Sequence, residues 1–309
     1  DVTWGAGGST ADKTLEMCKT IQKYFGLEVM MHLTCTNMQV SSIKKVLIEA
    51  EKNDLSNILA LRGDPPEGSS SWEQHKDGFR HGVDLVRYIR KEFGDHFFLG
   101  VGGYPDGHQE QSDLDADISF LKEKVEAGAD IVVTQLFYDI DKFLFFRDKC
   151  IKAGIKVPII PGIMPIHNYA RFLKFTQFCQ VSVPDSVTEQ LELIKYDDSS
   201  VINYGIDQAS GMCQKLIKNG VPGLHFYTLN LENSVSAILK SLGLVSSQGI
   251  IKELPWRQST SGGRKTSEDV RPIYWSNRPV SYLTRTEIWD DFPNGRWGDI
   301  KSPTFGELN

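Results

Sequence analysis

The sequence predicts an α/β protein of the (β/α)8 TIM-barrel class, and three observations carry that prediction. Short apolar runs rich in β-branched and aromatic residues recur at 2–4, 28–34, 57–61, 97–101, 131–137, 157–163 and 224–229. Amphipathic stretches of helix length lie between the earlier runs, at 13–25, 43–52, 83–93, 114–127 and 143–153, each ending near Gly or Asn as helix C-termini prefer. Runs apolar on both faces read as parallel strands covered by helices, and a repeat of roughly thirty residues is that of a barrel of about 250.

Taken in order, each strand run closes on polar residues. The first, Val2-Thr3-Trp4, opens the chain inside a strand; seven strands are visible where a barrel has eight, so the first β/α unit is expected upstream of Asp1. The next run carries His32 and Thr34, and the one after it ends in Arg62-Gly63-Asp64. Tyr104 and His108 follow the fourth, Gln135 closes the fifth, and Tyr227 with Asn230 closes the last. Barrel active sites form at the C-terminal ends of the strands, so this series is where chemistry is expected. His32 alone reads more readily as a hydrogen-bonded core residue than as a ligand; the series as a whole is what points to a site.

A doubly wound sheet is the competing architecture, and its glycine fingerprint is missing. Thr10 stands where the last Gly of G-x-G-x-x-G belongs after Gly5 and Gly7, and Pro105 stands there after Gly100 and Gly102. Beyond Gly243 the composition changes to Ser-, Gly- and basic-rich segments, yet four of the six tryptophans (Trp256, Trp275, Trp289 and Trp297) fall there, which disorder would avoid. The expected division is a catalytic barrel at 1–243, a linker at 244–268 and the start of a further domain at 269–309.

Lys and Arg number 34 against 40 Asp and Glu, and no long basic block occurs, so nucleic acid is a poor partner. No apolar stretch reaches the roughly 18 residues a spanning helix needs. The five cysteines are scattered, with no C-x-x-C, which fits a reducing, cytoplasmic compartment. There is no His/carboxylate metal motif and no G-x-S-x-G elbow, so neither a metal centre nor an acyl-transfer triad is expected. A wide polar rim with several aromatics suits a large planar cofactor stacked on a planar substrate.

Several of these runs resemble the methylenetetrahydrofolate reductase family closely. They are residues 2–10 (Val2-Thr3-Trp4-Gly5-Ala6-Gly7-Gly8-Ser9-Thr10), His32-Leu33-Thr34-Cys35, Ala60-Leu61-Arg62-Gly63-Asp64-Pro65, Gly103-Tyr104-Pro105, Thr134-Gln135-Leu136-Phe137, Pro161-Gly162-Ile163-Met164-Pro165 and His225-Phe226-Tyr227-Thr228-Leu229-Asn230. The tail, with Asp269-Val270-Arg271-Pro272 and Phe292-Pro293-Asn294-Gly295-Arg296-Trp297-Gly298, is similar to the linker and first part of the regulatory domain of eukaryotic members. That domain binds S-adenosylmethionine in animal members.

The resemblance implies FAD, reduced by NADH or NADPH and reoxidised by 5,10-methylenetetrahydrofolate to give 5-methyltetrahydrofolate, in a cytoplasmic homodimer. It implies that Thr3, Trp4, Ala6, His32, Arg62, Gly63, Asp64, His81, Gly82, Tyr104, His108, Asp117 and Lys124 line the FAD site. Lys124 and Arg62 are the candidates for the pyrophosphate and Asp117 for hydroxyls toward the adenine end; composition alone reads Asp117 and Lys124 as a solvated helix face. Asp64 and Gln135 are implied as catalytic, both touching the folate pterin, with Tyr169 stacked on the bound ligand and Tyr227 bordering it. Leu231 stands where bacterial and animal members have an Arg for the folate glutamate tail. The family's proton-donating Glu lies on the strand expected upstream of Asp1. Two other readings stay open on sequence: a flavin-free pterin-binding barrel of the methyltransferase or aldolase type, and an inactive scaffold homologue.

Overall fold

The computed structural model describes residues 1–4, 10–36, 38–63, 75–108 and 113–245, together with the backbone of 256–257 and 271–272. Ala6 and Asp64 lie outside the described residues. Six strands form one sheet: β1 (Met30–Thr34), β2 (Asn57–Leu61), β3 (Phe98–Gly103), β4 (Ile131–Leu136), β5 (Ile159–Ile163) and β6 (His225–Phe226), in the order of the sequence. The pairs β3–β4, β4–β5 and β5–β6 are parallel. A doubly wound sheet reverses its strand order once; here each strand follows its predecessor on the same side, which is the winding of a (β/α) barrel. Val2 adds a parallel bridge to Met31, its N–H bonding the Met30 carbonyl while the His32 N–H bonds the Val2 carbonyl, both at 3.0 Å. All seven runs read from the sequence therefore take up β structure.

The helices are α1 (Ala11–Thr20), α2 (Val40–Lys52), α3 (Gly82–Phe93), α4 (Leu114–Glu126), α5 (Ile140–Lys152), α6 (Tyr169–Phe178), α7 (Asp185–Ile194), α8 (Asp198–Lys218) and α9 (Glu232–Ser241). The single helix expected at 13–25 changes pitch at Ile21 into a π-helical turn that runs to Phe25, and Gly26, at φ 58°, ends it. Three helices, α6 to α8, occupy the interval between β5 and β6 where a simple repeat has one. Pro184 precedes α7, and the Asp197 carboxylate, which accepts from the N–H groups of Ser199 and Ser200, starts α8. Among the described residues no helix is long and apolar enough to cross a membrane.

The chain divides into two compact units. The first comprises 1–58, 62–80 and 250–309. In it α2 buries Ile43, Leu47 and Ala50, spaced i, i+4, i+7 so that they share one helical face. Met31 and Leu33 of β1 are fully buried. A short antiparallel ladder, β7 (Trp256–Arg257) with β8 (Arg271–Pro272), also belongs to this unit.

The second unit comprises 59–61 and 81–249. Its helices α3 and α5 bury Leu85, Val86, Ile89, Phe143 and Phe146, and Phe137 at the end of β4 stacks on Phe143 with ring centres 4.8 Å apart. Carboxylates or amides cap the helices where strands hand over to them: Asp113 for α4, Asp139 for α5 and Asn168 for α6. At the opposite ends of the strands Arg90 gathers the carbonyls of Gly94, Phe97 and Gly128 and the carboxylate of Asp130, which also accepts from the Leu99 N–H at 2.7 Å. One guanidinium thereby ties the end of α3 to the starts of β3 and β4.

Candidate active site

In the first unit the candidate residues gather around the ends of the Val2 bridge, β1 and the segment that follows β2. Thr3 is exposed, and its carbonyl accepts from the Thr14 hydroxyl of α1 at 2.9 Å. Trp4 is buried at 4% exposure, and its indole N–H has no acceptor among the described residues. The Thr34 hydroxyl at the end of β1 is likewise buried without a partner among the described residues. His32 is half-buried in mid-strand. The Arg62 carbonyl accepts from the Thr36 N–H at 2.9 Å and from the Thr36 hydroxyl, which clamps the backbone of Arg62 and Gly63 against the end of β1. Gly63 has φ 92°, and a Cβ there would lie 2.8 Å from the Thr34 Cβ, so the close approach demands glycine. Buried polar groups held back from protein partners beside a glycine-only turn are what a cradle for an external polar group needs.

In the second unit a tight group forms at the ends of β3 and α4. Lys124 donates to the Gly102 carbonyl at 3.2 Å and lies 5.8 Å from the centre of the Tyr104 ring, which meets the His108 ring edge-on at 4.7 Å. Asp117, one face of α4 below Lys124, is 8% exposed, and burial raises its carboxyl to about 6 against the pull of Lys124. The helix face that composition reads as solvated thus turns inward. His81 and Gly82 start α3: His81 is exposed and its N–H bonds the Asp84 carboxylate at 2.9 Å, while Gly82 is buried at the first helical position.

Gln135 sits on a β-bulge. Val133 pairs with Ile160 but Leu136 pairs with Gly162, so β4 spends one residue more than β5 between those pairs. Tyr227, two residues past the start of β6, donates its hydroxyl to the Thr134 carbonyl at 2.9 Å rather than leaving it open to the rim. Leu229 and Asn230, immediately after, are both left-handed, at φ 46° and 62°, a strained pair of the kind found at functional rims. Tyr169 starts α6, and its hydroxyl donates to Glu192 of α7, which Lys195 also binds at 2.7 Å.

Two features escaped the sequence reading. One is the bulge, whose only trace is Gly162, a single glycine in a strand run. The other is a triangle of Asp106, Lys142 and Ser182: Lys142 reaches Asp106 at 3.3 Å and Ser182 at 2.7 Å, and the Ser182 hydroxyl donates to Asp106. It pins the loop between Tyr104 and His108 to α5 and to the segment before α7. No local pattern could reveal it, since its members are tens of residues apart. Among the described residues no cluster of His, Cys, Asp and Glu suits a metal ion.

A sequentially wound parallel sheet with polar side chains at its strand ends defines a protein of the barrel-enzyme class. A family model described as methylenetetrahydrofolate reductase matches residues 1–243, and one described as the SAM-binding regulatory domain of that reductase matches 251–309. Methylenetetrahydrofolate reductase (NADH) 1 of Arabidopsis thaliana is 48% identical over 318 residues, covering 100% of this chain and 54% of its own length. Methylenetetrahydrofolate reductase 2 of Saccharomyces cerevisiae is 45% identical, covering 100% of this chain and 53% of its own. The 5,10-methylenetetrahydrofolate reductase of Salmonella typhimurium is 37% identical over 243 residues, 79% of each chain. The chain belongs to the methylenetetrahydrofolate reductase family. It spans about half the length of the plant and yeast relatives.

Proposed function

We propose that this chain carries the catalytic region of a reductase that converts 5,10-methylenetetrahydrofolate to 5-methyltetrahydrofolate at the expense of NADH or NADPH. The observation that carries the reading is family membership over residues 1–243, with the strand-end residues of the motifs in place. Relatives named for NADH and for NADPH both occur, so the reductant is a nicotinamide dinucleotide of either kind. FAD, when bound, supplies a two-electron relay between the nicotinamide and the folate.

The residues present suit that cofactor. The Trp4 indole N–H and Thr34 hydroxyl are donors without partners among the described residues, and the turn at Gly63 is one that only glycine permits. By the motifs shared with the family, the cofactor residues in this reading are Thr3, Trp4, Ala6, His32, Arg62, Gly63, His81, Gly82, Tyr104, His108, Asp117 and Lys124. Arg62 and Lys124 neutralise a diphosphate, and Asp117 accepts from hydroxyls. Asp64 places a negative charge where the folate half-reaction develops a cationic iminium, and Gln135 donates to the pterin. Tyr169 stacks on the bound ligand in this reading, with its hydroxyl bonded to Glu192.

The same reading divides the chain into a catalytic barrel at 1–243, a linker at 244–268 and the start of a regulatory domain at 269–309, in a cytoplasmic homodimer. The name of the second family model supports S-adenosylmethionine as the effector of that domain.

The test is anaerobic stopped-flow on the full-length protein, following visible flavin absorbance. Asp64→Asn is expected to slow oxidation of the reduced protein by methylenetetrahydrofolate about a hundredfold while reduction by NADH or NADPH stays within a few fold. Equal slowing of both halves refutes the role of Asp64. A folded, colourless protein that takes up no FAD refutes the flavin reading and favours a flavin-free pterin barrel or an inactive homologue.

A further inference from the structure

At the bulge in β4, side chains bond three backbone groups. The Thr134 carbonyl accepts from the Tyr227 hydroxyl at 2.9 Å, the Gln135 carbonyl accepts from the Thr134 hydroxyl at 2.9 Å, and that same hydroxyl oxygen accepts from the Gly162 N–H at 3.0 Å. Gly162 is required for the arrangement: a Cβ there would lie 2.3 Å from the Thr134 carbonyl oxygen and 2.7 Å from the Tyr227 ring. Thr134 is fully buried, and the bond from the Gly162 N–H to its hydroxyl forms away from competing water. The Gln135 side chain is held by its own neighbour, since the Leu136 N–H donates to its Oε1 at 3.0 Å. A backbone N–H can only donate, so the atom facing it is the amide oxygen, and the amide NH2 is the end left for a ligand. Burial pushes the Tyr227 phenol well above its ordinary value, so it keeps the proton it donates.

We propose that Tyr227 is a positioning residue, not a substrate contact: through Thr134 and the bulge it aims the Gln135 amide as a hydrogen-bond donor toward an acceptor oxygen or nitrogen of the pterin ring. This rests on the reading of Gln135 as a folate contact given above. The bulge turns Gln135 out of the regular ladder, and the phenol of Tyr227, 93 residues away in sequence, is the link from β6 that fixes the carbonyl just before it. Loss of that link frees Thr134 and Gln135 to relax toward regular pairing, which moves the amide.

The experiment is a double-mutant cycle on the full-length protein, with calorimetric titration of 5-methyltetrahydrofolate as the readout, since binding at equilibrium does not depend on turnover. Gln135→Ala is expected to weaken binding about tenfold or more. Tyr227→Phe, which keeps the ring against Gly162, is expected to weaken it about three- to tenfold in the parent and less than about twofold in the Gln135→Ala background. Equal losses in both backgrounds overturn the proposal, because Tyr227 then acts independently of Gln135; no loss in either background overturns it as well. If Gln135→Ala leaves affinity unchanged, the folate reading of Gln135 fails and the proposal falls with it, a result distinct from additive losses. Should Tyr227→Phe fail to fold, Thr134→Val removes the next link at constant shape, and the same comparison decides.

Discussion

At the residue scale, Asp117 is a carboxyl held at about 6 by burial, with Lys124 only partly offsetting the effect. Its ordinary value is 3.8, so between 3.8 and about 6 the folded protein binds more protons at this group than the unfolded chain does. Stability contributed by this group therefore falls as pH rises through that window and stays lost above it. Asn carries no charge to desolvate. In cofactor-free protein, Asp117→Asn should raise the urea midpoint above about pH 7, with the gain fading to nothing below about pH 4. Midpoints measured across that range check this; a difference independent of pH refutes it. If Asp117 holds a cofactor hydroxyl, the same variant should retain FAD less well, so that a gain in stability accompanies a loss of binding. A buried, destabilised carboxyl of this kind beside a cation is what functional sites tend to contain.

Elements are joined in this protein by contacts that tolerate no added atom. Gly205, in the interior of α8, brings its helix so close to the segment after β5 that a Cβ would lie 2.0 Å from the Ile166 carbonyl oxygen. Helix propensity alone favours Ala by about 1 kcal/mol. The obstacle is backbone and cannot rotate away, so Gly205→Ala should instead destabilise by about 1–3 kcal/mol, read as a lower denaturant midpoint at unchanged slope. An increase in stability would mean that α8 can move off Ile166. At the opposite ends of the strands, Arg90 satisfies three carbonyls and Asp130 with one guanidinium and is only 18% exposed. Arg90→Met should cost about 2–3 kcal/mol, most of it from acceptors left without a donor, and Arg90→Lys should recover little because an ammonium cannot span the set. Chemical denaturation of both variants tests this; full recovery by Lys would show that charge alone matters.

For the molecule as a whole, winding and burial set what is reactive. Sequential parallel strands under helices place the thiols of Cys18, Cys150 and Cys213 inside, and burial raises them to about 11, 12 and 12. The thiolate is the nucleophile, so these three should resist alkylation in the native protein and react only as it unfolds. Mass-spectrometric labelling across a urea gradient should give midpoints for all three that coincide with the loss of helix signal. Early labelling of any one would identify a region that opens below the global transition.

The strand runs, the helical stretches and their handover residues were legible in the sequence because each depends on local periodicity and chain-neighbour chemistry: Asp113 and Asp139 cap the helices they precede, and every predicted strand run takes up β structure. The family was legible for the same reason, since its motifs are contiguous. Only the tertiary structure decided the rest. Composition makes Asp117 and Lys124 a wet helix face, whereas packing of α4 against the end of β3 turns them inward. Gln135 reads as an ordinary strand end, yet its aim depends on a bulge held by Tyr227 and permitted by Gly162. The triangle of Asp106, Lys142 and Ser182, and the stand-off between Gly205 and Ile166, join residues far apart in the chain. Such contacts are set by distances across elements, which no local pattern encodes; sequence alone named the polar residues that reach the strand ends, and folding decided which of them bond to one another.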